Sequence, residues 1–204
     1  MSLTFSLAHL MGGIILLCGF LQLSQRRLSA MITLYQSEAL VLSAAALWQG
    51  FAQHELALYL TGLITFALKG VLLPWGLREI VQRFGMIRAV ETALPMAVSM
   101  ILGLALIGIA VLVVLPSTEA SLSLTREDLA IALSVVLLGL LLMIVRRNAL
   151  AQIIGFLSME NGLVLAAIGM PGMPFVAEFS VALLVLLAFL VVGVFLLRIR
   201  EHFD

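Results

Sequence analysis

RRLSAMITLYQSEALVLSAAALW, residues 26–48, decides the fold class. Two arginines precede 21 residues (28–48) in which Glu38 is the one charged side chain. A helix needs about 20 mostly apolar residues to cross the hydrocarbon core of a bilayer. A soluble surface helix of that length would carry a polar, charged face. Six more runs of this kind occupy residues 3–23, 56–73, 94–115, 129–145, 149–170 and 175–197. The expected fold is an all-α integral membrane protein of about seven transmembrane helices. Composition agrees: 63% of the 204 residues are hydrophobic and 11% are charged, against roughly 25% charged in soluble domains. Seven spans use roughly 140 residues, which leaves no room for a soluble catalytic domain.

The separators are residues 24–27, 49–55, 76–92, 116–128, 146–148 and 170–174. PGMP at 171–174 reads as a turn, and Pro116 as a helix end. The stretch GLREIVQRFGMIRAVET (76–92) reads either as a short helix lying in the interface or as a charged connector. The first five residues hold no Lys or Arg, unlike the positive start of a cleaved signal peptide, so the first helix reads as retained.

Cytoplasmic loops collect Lys and Arg. With the N-terminus outside, Arg26, Arg27, Arg78, Arg83, Arg88, Arg146, Arg147, Arg198 and Arg200 all fall inside. Arg126 alone falls outside, with Glu55, Glu119, Glu127 and Asp128, and Lys69 lies within a helix. The expectation is a bacterial inner (cytoplasmic) membrane protein with its C-terminus in the cytoplasm. Basic and acidic residues number 11 each, and the basic ones sit at helix ends, so lipid and not nucleic acid is the expected partner. The single cysteine, Cys18, forms no intramolecular disulfide and reads as a small buried hydrophobe. His9, His54 and His202 are scattered and make no metal site; His9 reads as packing or making a local hydrogen bond.

The chain repeats itself weakly. Arg26-Arg27 matches Arg146-Arg147, Glu38 matches Glu160, and Leu40-Val41-Leu42 matches Leu163-Val164-Leu165, at offsets of 120, 122 and 123. Four helices lie between the copies, so both run the same way through the bilayer, as in parallel repeats. The parse is a first three-helix repeat (1–75), an interfacial loop and connecting helix (76–116), and a second three-helix repeat (117–204).

Three ionisable residues lie well inside apolar runs: Glu38, Lys69 and Glu160. A charge at the bilayer centre costs about 2.5–3.5 kcal/mol on insertion scales. Each glutamate lies about ten residues into its helix, roughly 15 Å from the cytoplasmic end. Two readings stand: proton or ion handling, or a protonated hydrogen-bonding group that locks helices together. Tyr35 shares the face of Glu38, while Ser29, Thr33, Gln36 and Ser43 line most of the other side. Gly155, Ser158 and Gly162 form a small-residue stripe suited to close packing. Glu160 points away from that stripe, toward a different neighbour such as another subunit, and Asn148, Gln152 and Asn161 add polar groups. Lys69 reads either as functional or as a side chain that snorkels from near the end of helix 3, with Pro74 loosening the backbone after it.

RRNALAQIIGFLSMENGLVLA, residues 146–166, resembles the NuoK/MrpC group, three-helix subunits of complex I and of multisubunit cation/proton antiporters. Their middle helix has a pattern like IGLELMLNA, which Ile154-Gly155, Met159 and Asn161 match. The group's glutamate position falls on Leu157, and this chain has Glu160 three residues on, within about 60° on the same helix face. The group's last-helix glutamate has no equivalent at mid-helix here; Glu178 lies near the outer end. The whole chain is similar to the hydrogenase-4 component E (HyfE) family in length, helix number, the Lys69 and Pro74 pair, and Val90-Glu91.

That resemblance implies a non-catalytic membrane-arm subunit beside large antiporter-like membrane subunits and a peripheral redox arm. It implies no cofactor in this chain, and Fe–S clusters with Ni–Fe chemistry in partner subunits. Glu38, Glu160 and Lys69 become candidates for a proton relay, with Tyr35, Gln36 and Asn161 in support. A self-contained secondary ion transporter and a purely structural scaffold are the rival readings.

Overall fold

The computed structural model describes residues 3–83, 90–117 and 123–169. They form helices α1 (Leu3–Ser24), α2 (Leu28–Gln53), α3 (Leu56–Thr65), a π-helical segment (Phe66–Leu72), α4 (Leu73–Arg83), α5 (Met96–Ser117), α6 (Ser123–Val145) and α7 (Ala149–Gly169). α3, the π segment and α4 run on as one span, so six spans are long and apolar enough to cross a membrane. This is an all-helical membrane protein; no strand occurs among the described residues beyond an isolated bridge, Thr92 to Arg146. The seventh run, 175–197, lies outside the described residues, as do Glu178, Arg198 and Arg200.

Several boundaries differ from the sequence expectation. α2 runs to Gln53, which shortens the link to α3 to His54 and Glu55. His54 makes that turn in the left-handed region (φ 55°) and donates its backbone N–H to the Gly50 carbonyl. Gly50 suits the tight return, because a Cβ there would lie 3.1 Å from the Tyr59 nitrogen. α5 continues one residue past Pro116. The largest difference is at Pro74: the turns before it widen into the π segment, and the helix then continues to Arg83, across the expected 75/76 boundary.

The physical reason lies next to the proline. Pro74 offers no N–H to the preceding turn, and the Gly70 carbonyl four residues earlier accepts a hydrogen bond from Gln36 Nε2 at 2.9 Å instead. Gln36 Oε1 in turn accepts from Arg78 Nη2 at 2.6 Å. The polar face of α2 is thus turned toward the third span, with Ser43 donating to the Gly62 carbonyl at 2.9 Å.

α2 packs against α1, the third span and α7, while α6 packs against α1, α5 and α7. The α6/α7 pair is the tightest. A Cβ on Gly139 would come within 2.5 Å of the Met159 nitrogen, and one on Gly162 within 2.7 Å of the Val136 nitrogen. In lipid, where no hydrophobic force draws helices together, such close backbone approach supplies the packing energy. Gly155 belongs to the same seam.

Two apolar clusters fill the interior. One holds Leu28, Ile32, Tyr35, Leu138, Ile154 and Leu157. The other holds Ile15, Leu42, Ala46, Val135, Val164 and Leu165. On α2 the first ends at Tyr35 and the second begins at Leu42; on α7 the change falls between Leu157 and Val164. Glu38, Ser158, Glu160 and Asn161 occupy the gap.

The α6/α7 seam makes a direct prediction. Gly139→Ala pushes a methyl into backbone and should destabilise the protein by about 1–3 kcal/mol. Gly108→Ala, where nothing lies within 4 Å, should leave stability unchanged. Thermal unfolding in detergent distinguishes the two.

Candidate functional site

Four spans bring polar side chains together in the gap between the apolar clusters. Glu38 on α2, Lys69 on the π segment and Glu160 on α7 are each fully buried. Gln22 comes from α1, and Ser158 and Asn161 from α7; all are buried.

Glu38 is held by two neutral groups. Gln22 Nε2 donates to its Oε2 at 2.6 Å. The Ser158 hydroxyl lies 2.9 Å from each carboxyl oxygen. Ser158 therefore leaves the packing stripe assigned to it with Gly155 and Gly162 and turns toward α2. Gln22 was not singled out in the sequence; the available signal was an amide inside an apolar stretch, two residues before the end of α1.

Lys69 does not snorkel. Its side chain is fully buried inside the bundle and ends on partners from α7. Its Nζ donates to Asn161 Oδ1 at 3.0 Å and stands 3.3 Å from Glu160 Oε1. Glu160 thus faces a cation of its own chain and not another subunit. Neither Glu160 oxygen has an aligned hydrogen bond, so the contact with Lys69 is an ion pair by proximity. π-helical turns are rare and often found at functional sites. Here the widened turn carries Lys69 itself.

Tyr35 is fully buried, its hydroxyl has no hydrogen-bond partner among the described residues, and it lies within electrostatic reach of both Glu160 and Glu38. Gln36 is not part of the cluster. It acts from the other side of α2, on the Gly70 carbonyl next to Lys69.

The arginine-rich end is locked by Arg146, which is almost completely buried. Its Nη2 donates to the Gln22 and Leu23 carbonyls at 3.1 and 2.9 Å, the negative end of the α1 dipole. Burial lowers its pKa from the ordinary value, yet an arginine keeps its proton. Gln22 is thus fixed at its backbone by Arg146 and reaches Glu38 with its side chain. Asn148 caps α7 by accepting from the Leu150 and Ala151 N–H groups at 2.9 and 3.3 Å. At the opposite end, His9 lies 3.4 Å from Glu127 and 3.2 Å from Asp128, tying α1 to α6. Among the described residues no three His, Cys, Asp or Glu side chains gather as metal ligands.

The buried pair predicts strong non-additivity. Lys69→Met strands Glu160 and should cost about 3–5 kcal/mol. Adding Glu160→Gln should recover most of that loss. A double-mutant cycle on unfolding in detergent measures it.

The chain is 31% identical over 196 residues to a Mycobacterium tuberculosis protein named "Uncharacterized protein Rv0085", a match that covers 94% of this chain and 88% of the mycobacterial one. No family model matches, and no solved structure matches.

Proposed function

The chain belongs to the family of mycobacterial Rv0085, and from the buried Glu38–Lys69–Glu160 cluster we propose that it is a proton-handling membrane-arm subunit of an energy-converting oxidoreductase complex related to complex I. The reading joins that cluster to the resemblance to hydrogenase-4 component E. In it, the subunit sits beside large antiporter-like membrane proteins, and redox chemistry belongs to a peripheral arm with Fe–S clusters and a nickel–iron centre. This chain is not an enzyme by itself.

The observation that carries the proposal is three fully buried ionisable groups on three different spans, at 3.3 Å for the closest pair. Ionisable residues inside a membrane are costly and usually mark ion or proton paths. In the proposed mechanism protons pass by way of the Glu38, Glu160 and Lys69 cluster, Lys69 balances carboxylate charge, and Tyr35 and Asn161 line the route. Gln36 holds the backbone beside Lys69. A two-repeat plan of three helices, one connecting helix and three helices accounts for the partners each helix chooses. α1 packs on α6 and α2 on α7, so the first and the middle helices of the two repeats meet. The same plan puts the N-terminus outside and the C-terminus in the cytoplasm of a bacterial inner membrane, with a seventh span at 175–197.

Two measurements test this. Mild-detergent purification should bring down a large antiporter-like protein and an Fe–S hydrophilic arm. In the assembled complex, Glu38→Gln or Glu160→Gln should lower redox-driven proton translocation to the uncoupled level while leaving redox turnover in place. Undiminished translocation in both variants would remove the relay role and leave a scaffold. Ion transport by the purified chain alone in liposomes would point to a self-contained transporter.

A further inference from the structure

We infer that the two buried glutamates have different jobs: Glu38 is the carboxyl that takes up and releases the proton, and Glu160 is the permanent counter-anion of Lys69. The inference rests on the relay reading for its functional meaning and divides the labour within that site.

Charge balance comes first. Among the described residues, the gap between the apolar clusters holds one ammonium and two carboxyl groups, all fully buried. One ammonium compensates one carboxylate. In a low-dielectric interior a second carboxylate is left without a counter-charge, and such a group stays neutral by keeping its proton. The other buried cation, Arg146, does not supply the missing charge. It bonds the Gln22 and Leu23 carbonyls and so serves the end of α1.

Geometry then says which carboxyl is which. Glu160 Oε1 stands 3.3 Å from Lys69 Nζ and has no neutral hydrogen-bond partner among the described residues. The ammonium beside it favours the ionised form. Glu38 has no salt bridge among the described residues; its aligned hydrogen bonds are with an amide and a hydroxyl, and Asn161 and Lys69 also lie within its reach. Both hydrogen bonds serve either protonation state. A serine hydroxyl donates to a carboxylate and, rotated, accepts from a carboxylic acid. Gln22 donates through Nε2 to the ionised form, while its Oε1 is buried without a partner. A turn of the amide would offer that oxygen to the protonated form. The Gln22 backbone stays put during such a turn because Arg146 holds its carbonyl.

The titratable groups within electrostatic reach of Glu38 are Cys18 from α1, Tyr35 from its own helix and Lys69 from the π segment, and Glu160 on α7 shares Tyr35 and Lys69 with it as neighbours. With Glu38 protonated and Lys69 paired, the cluster is uncharged. With Glu38 ionised it carries one negative charge, the state that draws in the next proton.

The test is infrared difference spectroscopy on the full chain in native membranes, following the C=O stretch of a protonated carboxyl in an apolar setting. The wild type should show this band, and raising the pH should bleach it reversibly. Glu38→Gln should abolish it. Lys69→Met/Glu160→Gln, which removes the ion pair without leaving a stray charge, should keep it. Persistence of the band in Glu38→Gln, its loss in the double variant, or a band indifferent to pH would each overturn the inference. Because the readout is independent of transport, a Glu38→Gln variant that loses the band yet translocates protons normally would reject the relay reading and leave the assignment of the protonated carboxyl intact.

Discussion

An ammonium group at the centre of an apolar helix bundle has to be compensated where it stands, and Lys69 stands fully buried with helix extending well beyond it in both directions. Its compensation comes from α7, through Glu160 and Asn161. That demand sets the distance between the third span and α7, and α2 is the helix that lies against both. The interior therefore divides into two dry clusters with a polar layer between them. Helices that were merely apolar could slide along one another; here the buried charges fix the register.

The layer is supported from outside as much as from within. Pro74 takes a donor away from the third span, and Gln36 makes good the loss at the Gly70 carbonyl. Arg78 then orients Gln36, so a residue expected only to mark topology also steadies the backbone beside Lys69. At the arginine-rich end Arg146 performs a comparable task for Gln22. Both arginines act through a glutamine: Arg78 holds the amide of Gln36, which bonds the Gly70 carbonyl, and Arg146 holds the backbone carbonyl of Gln22, whose side chain reaches Glu38. The α6/α7 seam completes the frame. Its glycines let the backbones approach so closely that α7 presents Ser158, Glu160 and Asn161 from a rigid support.

Much of this was legible in the chain. The six described spans, the depth of Glu38 and Glu160, and the closeness of Gly155 and Gly162 to another helix follow from apolar run length and the 3.6-residue period. Those signals are local. Gln22, by contrast, looks like an ordinary residue near a helix end, and Ser158 falls in line with two glycines. Their roles arise from Glu38, which is 16 and 120 residues away, and no helical period carries information over such separations. Lys69 stayed open between a functional and a snorkelling reading for a related reason. Its partners lie 91 and 92 residues on, and the Gly70 carbonyl left free by Pro74 is bonded by a side chain from α2.

The sequence by itself determined that this is a helical membrane protein with ionisable groups held deep in its spans, because the energy of placing apolar and charged side chains in lipid depends on type and local order. Tertiary structure alone decided which of those groups meet. Lys69 pairs with Glu160 across 91 residues of chain (160 − 69) and leaves Glu38 to an amide and a hydroxyl. Pairing is a matter of which helix faces touch, and that choice is made by glycine seams, a displaced π turn and capped helix ends acting together.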